Sequence, residues 1–135
     1  MASRQAMIEV IERAYEARNN GAIDALMAEF HPKAVFELKG DKSALSVVGR
    51  AEGEANVRAA LGQLIGAFDF LQREIRETIV EGDRAIVHSR LKIKFVPSGQ
   101  IFDTDVLDSI KFEDGKIVEL VEFADTALIK GLVGK

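Results

Sequence analysis

The stretch "DTDVLDSIKF" at 103–112 holds three aspartates in a pattern that alternates like a β-strand. Strand side chains point to opposite faces in turn. Asp103 and Asp105 therefore share a face with Leu107, Ser109 and Lys111. Asp108 falls instead with Phe102, Thr104, Val106, Ile110 and Phe112, an otherwise almost wholly apolar set. A carboxyl on such a face loses water, which disfavours its charged form. Kept neutral, it donates a hydrogen bond to a ligand oxygen; partly ionised, it takes up a proton. The competing reading is a buried aspartate satisfied by a neighbouring strand, a tyrosine or an arginine.

Glu122 is the second carboxyl of interest. In "KIVELVEFAD", Val118, Leu120, Glu122 and Ala124 form one alternating set, and Ile117, Glu119, Val121 and Phe123 form the other. Both sets are apolar enough to face a core, so alternation leaves the direction of Glu122 open. If it faced inward on a strand paired with that of Asp108, the two carboxyls would share one proton. An outward or interfacial glutamate is the alternative. Tyr15 lies on the apolar stripe of the first helix, where a buried hydroxyl needs a partner. It reads as a core or pocket-wall tyrosine that could assist Asp108.

The histidines carry less. His88 belongs to a mostly charged strand face and reads as exposed or interfacial. His31 precedes Pro32 after a helix end, where a cation complements the helix dipole. Two histidines so far apart, with no cysteine, offer no recognisable metal spacing. Neither a metal nor a cofactor is expected.

These residues must be positioned by the elements around them. Met7, Ile8, Val10, Ile11, Ala14 and Tyr15 recur at helical spacing and predict a helix over about 3–19, closed by "NNG". Ile23, Leu26, Met27 and Phe30 predict a short second helix ended by "HP" at 31–32. "AVFEL" at 34–38 is a strand, and a second strand is expected at about 44–48, with Gly49-Arg50 and Gly53-Glu54 turning into the next helix. Val57, Ala60, Leu61, Leu64, Ile65 and Phe68 give the third helix its apolar face.

Four strand candidates follow, separated by "EGD", "PSG" and "EDGK", the last an Asp-Gly hairpin signal. In the strand at about 84–96, Ala85, Val87, Ser89, Leu91, Ile93 and Phe95 form the core face, and Ile86, His88, Arg90, Lys92 and Lys94 the outer one. The tail "DTALIKGLVGK" predicts a short helix capped by Asp125 or Thr126. Helices first and an antiparallel meander afterwards is an α+β order, with helices against one face of a curved sheet.

The 135 residues suit a single domain over 1–135, and 47% hydrophobic residues suffice for a core. A net charge of −4 with signs interspersed argues against a nucleic-acid or membrane-surface partner. The charged, amphipathic N-terminus is unlike a signal peptide, and no apolar run approaches a membrane span, so a cytoplasmic domain is expected.

The order and content of "AIDALMAEFHPKAVFEL", "VVGRAEGEANVRAAL", "VEGDRAIVHSRL" and "VLDSIKFEDGKIVELVEFADTAL" cover nearly the whole chain. Together they resemble the ketosteroid isomerase-like, SnoaL-like branch of the nuclear transport factor 2-like (NTF2-like) superfamily. The resemblance implies a cone-shaped, cystatin-like α+β fold. Three N-terminal helices would pack on a strongly curved, mostly antiparallel sheet around an apolar pocket, commonly in a homodimer. It places Asp108 where ketosteroid isomerases hold a protonated aspartate that donates to an oxyanion. It aligns Glu122 with pocket-facing positions. The family's general base matches Leu38, which takes no proton. The family's helix tyrosine matches Ala14, one residue and about 100° from Tyr15. The missing base argues against steroid isomerisation by the usual machinery.

Phe36, Leu38, Leu64, Phe68, Leu91, Phe95 and Val106 are core positions that would line the pocket where the core fails to close. Two functions are then open, because fold does not fix chemistry. One is acid–base catalysis of isomerase, dehydratase or cyclase type on a small apolar carbonyl or hydroxyl compound, using Asp108 with Glu122 or Tyr15. The other is a non-catalytic ligand-binding or dimerisation module.

Overall fold

The computed structural model describes residues 3–133, with Val133 in its backbone only. The first two and last two residues of the sequence, including the end of the "DTALIKGLVGK" tail, lie outside the described residues. Helix α1 (Arg4–Asn19) starts at Ser3, whose hydroxyl accepts from the Ala6 N–H at 3.1 Å. Its stripe of Met7, Val10, Ile11, Ala14 and Tyr15 is buried. It ends at Asn20 and Gly21, the glycine taking a left-handed φ of 67°.

Helix α2 (Ile23–Met27) is a single turn, shorter than its apolar stripe predicts. Phe30 opens strand β1 (Phe30–Lys39) instead of closing the helix. His31 therefore sits in a strand and not at a helix end. Strand β2 is Gly49–Glu52, not 44–48, so Gly49 and Arg50 are ladder residues. Helix α3 (Glu54–Ala67) buries Val57, Leu61 and Leu64. Strands β3 (Phe68–Glu81), β4 (Arg84–Phe95), β5 (Gln100–Glu113) and β6 (Lys116–Ala124) form the meander. Asp114 and Gly115 both have positive φ in the last hairpin, as its tight turn requires. Helix α4 (Thr126–Val133) is capped by Asp125, whose carboxylate accepts from the Leu128 N–H at 3.1 Å.

The six strands form one curved sheet in the order β2-β1-β6-β5-β4-β3. Every joint is antiparallel except that between β1 and β6. The helices cover one face, and Ala85, Val87, Ser89, Leu91, Ile93 and Phe95 of β4 are buried against it as their alternation predicts. Among the described residues no helix is long and apolar enough to cross a membrane.

Candidate active site

Asp108 is on the helix-covered face of β5 and is 1% exposed. Its Oδ2 accepts a hydrogen bond from the Tyr15 hydroxyl at 2.5 Å. The turn of α1 that carries Tyr15 also sends Ala14 to the cavity, so one residue of helical rotation does not remove the phenol from the site. Across the β5–β6 ladder Asp108 stands directly opposite Glu122. Cross-strand partners share a face, which settles the direction that alternation left open: Glu122 faces the cavity.

Asp108 Oδ1 has no hydrogen-bond donor among the described residues. Its neighbour is a second carboxylate, so their contact becomes a hydrogen bond only when one of them carries a proton. Burial pushes the Asp108 carboxyl well above its usual range, and Glu122 pushes it further. The Tyr15 hydrogen bond and the Arg73 charge pull the other way but do not win. The balance favours the protonated form of Asp108. Burial also raises Tyr15 well above its ordinary value, and the Asp108 charge adds to this.

The cavity around this group holds about 890 Å³ of atom-free space with its opening included, but only about 70 Å³ admits the centre of a water molecule. It is a narrow slot. Leu38, Leu64, Phe68 and Val106 line it, with Ile11, Leu61, Phe70, Ile93 and Phe102. Three residues expected in the lining are not there. Phe36 turns to a separate cleft between β2 and α3. Leu91 is fully enclosed between its ladder partners Arg73 and Thr104. Phe95 packs on Phe68 with ring centroids 5.3 Å apart, at the far end of β4. All three are core: apolar alternation selects the face but not the depth along a strand.

Two charged residues line the slot without having been expected there, Arg18 and Arg73. The Arg18 guanidinium donates to the Leu64 and Phe68 carbonyls at 3.3 and 3.0 Å and lies 3.7 Å over the Phe70 ring. Burial lowers its pKa to about 10, which leaves it charged at pH 7. Arg73 donates to Asn19 Oδ1 at 3.2 Å and Ser89 Oγ at 3.0 Å, and its guanidinium lies 3.8 Å over the Tyr15 ring.

The histidines stand elsewhere. His88 is on the outer sheet face, where Nε2 is 3.1 Å from Asp105. His31 Nε2 approaches Asp114 at 3.4 Å and Glu113 at 3.7 Å, a grouping of metal-ligand types. Its Nδ1 accepts from the Lys33 N–H at 3.0 Å. The proton of a neutral ring therefore sits on Nε2, facing the carboxylates as a donor and not as a metal ligand.

The profile of the SnoaL-like domain matches residues 11–120. Solved structures share the fold at low identity. An NTF2-like protein of unknown function from Burkholderia pseudomallei is 19% identical, with 100% of both chains covered and a TM-score of 0.86. A proposed isomerase from Rhodopseudomonas palustris is 15% identical, with 100% of both chains covered and a TM-score of 0.84. A proposed SnoaL-like polyketide cyclase from Jannaschia sp. CCS1 is 20% identical, covering 96% of this chain and 93% of its own, with a TM-score of 0.78. No curated protein matches the sequence.

Proposed function

The chain belongs to the SnoaL-like family, and from that premise we propose that it is an acid–base enzyme acting on a small, mostly apolar carbonyl or hydroxyl compound. One observation carries the reading: Tyr15, Asp108 and Glu122 meet in an apolar slot whose burial favours the neutral form of Asp108. Glu122 takes a proton from a carbon beside the substrate carbonyl, and the oxygen that gains charge accepts a hydrogen bond from Asp108. Return of the proton from Glu122 to another carbon completes an isomerisation. Protonation of a departing hydroxyl by Asp108 instead makes the step a dehydration. Tyr15 donates to Asp108 and so positions it.

The second reading is a binding module that kept the pocket and lost the base, and Leu38 at the family's base position favours it. Exchange of the acidic C–H protons of 2-tetralone in D2O, followed by NMR, separates the two. The wild type accelerates exchange and Asp108→Asn, close in shape, slows it by about 10²-fold. Equal exchange and equal affinity in both proteins would reject catalysis at this site.

We also propose a homodimer formed through the outer sheet face. Its support is the contiguous apolar surface of Ile79, Ile86, Leu107 and Phe123, where Ile79 and Ile86 are ladder partners, as are Leu107 and Phe123.

A further inference from the structure

Arg18 and Arg73 are two cations in the wall of an apolar slot, and all four hydrogen bonds they make run to neutral oxygens. Partly buried cations left without a counter-charge are costly, because desolvation is not repaid. Within the lining the compensating carboxylates are Asp108 and Glu122. Asp108 is buried beside Glu122, and both effects push its carboxyl well above the usual range, toward the neutral form. The lining thus sets two guanidiniums against two carboxyl groups, one of which is driven toward its neutral form. Asp69, near Arg18, is exposed and outside the lining, and water screens it.

The donors are also suitably presented. Each guanidinium carbon sits over an aromatic ring, Arg18 over Phe70 and Arg73 over Tyr15. Contact with a ring face does not use up the N–H groups at the guanidinium edge, which can form in-plane forks. Arg18 spends only one Nη on the protein, and Arg73 spends Nε and Nη1. Nε and the other Nη of Arg18, and Nη2 of Arg73, have no protein acceptor among the described residues. A carboxylate is the planar, two-oxygen group that such forks match.

Resting on the acid–base reading above and extending it to the substrate class, we propose that the slot takes a flat apolar monocarboxylate, its carboxylate held by Arg18 and Arg73 and its reacting carbon beside Asp108 and Glu122. Tyr15 joins the two ends of the site. Its ring carries the Arg73 guanidinium while its hydroxyl holds Asp108. The anion is thereby set one aromatic ring from the proton-transferring pair.

The test is calorimetric binding of trans-cinnamate and of its neutral, near-isosteric amide cinnamamide at pH 7. The carboxylate binds about tenfold or more tightly than the amide, as charge-assisted hydrogen bonds imply. Arg73→Gln and Arg18→Gln each remove most of that preference by weakening the acid far more than the amide, and Arg73→Lys restores part of it. Equal affinity for acid and amide, binding of neither, or equal losses for both ligands in the variants overturns the proposal. Melting curves taken alongside identify any variant that fails to fold; for such a variant the wild-type acid-to-amide ratio alone decides. The two readings fail separately. If cinnamate is preferred through the arginines but Asp108→Asn leaves 2-tetralone exchange untouched, the anion site stands and acid–base catalysis falls. If exchange depends on Asp108 and no carboxylate preference exists, the reverse holds.

Discussion

Leu38 on β1 and Glu122 on β6 are register partners across the parallel joint of the sheet. Both face the slot. The position where the family resemblance puts a general base is apolar here, and a carboxylate stands one strand over, opposite Asp108. A general base needs reach and a matched proton affinity, not a particular strand. Glu122→Gln should therefore slow 2-tetralone exchange by about 10²-fold or more. Adding Leu38→Asp to that variant puts a carboxylate back across the ladder and should recover part of the rate. Exchange as fast in Glu122→Gln as in the wild type would remove Glu122 from the chemistry.

The raised Asp108 carboxyl makes stability depend on pH in a definite direction. Unfolded, it ionises near pH 4, whereas folded it keeps its proton well above that. Between those two values the native state binds the extra proton. This contribution is complete below about pH 4 and is lost as pH rises, by up to about 1.4 kcal/mol per pH unit. Asp108→Asn keeps an oxygen for Tyr15 and removes the titration. Urea unfolding from pH 4 to 8 should show the wild type losing stability relative to the variant. Parallel curves would mean that Asp108 is ionised at neutral pH.

Tyr15 is the one tyrosine in a chain without tryptophan, so its ionisation can be followed by absorbance without overlap. Burial raises it well above 10, with Asp108 adding to the effect. The tyrosinate band should be absent from the folded protein at pH 10 and present in urea at the same pH. Tyr15→Phe leaves Asp108 Oδ2 without its donor, at a cost of about 1–3 kcal/mol in urea unfolding. A native phenol that titrates at the free value would contradict the burial of the Tyr15–Asp108 contact.

Much of this site was legible in the sequence, and the part that was not has a physical cause. Asp108 stood out because β5 keeps strict alternation from Phe102 to Phe112. Glu122 could not be oriented because both faces of β6 are apolar; only pairing with β5 decides it. Arg73 was hidden by a bulge. The β3–β4 register shifts between Phe70 and Gln72, so the inward set runs Phe68, Phe70 and then Arg73 instead of Gln72. A parity argument started at Phe68 therefore misses Arg73, five residues later. At β1, Pro32 suggested an ending, yet the strand passes through it. The β1–β6 register is interrupted between Phe30 and Val35, so the proline need not donate to a continuous ladder. The β2 signal was misplaced because Ala44 and Val48 are buried from a loop and mimic a strand.

The outer sheet face yields the last prediction. Phe123 is 46% and Leu107 40% exposed although they are cross-strand partners on a central part of the sheet. Ile86 extends the surface diagonally from Leu107 on β4 and pairs with Ile79 on β3. Beside it, Asp105 bridges His88 and Arg90, each at 3.1 Å, a polar margin next to an apolar centre. That arrangement is the anatomy of a subunit contact. Apolar patches of this kind on a monomer mark interaction sites. Phe123→Glu puts a charge into the centre, where pairing two copies would bury it twice. Sedimentation equilibrium should give a dimer for the wild type and a monomer for Phe123→Glu, while the distant slot retains its affinity for cinnamamide. A wild type that stays monomeric at about 100 µM, far above the Kd of a standard-sized interface, would reject the dimer. So would a variant that dimerises as well as the wild type.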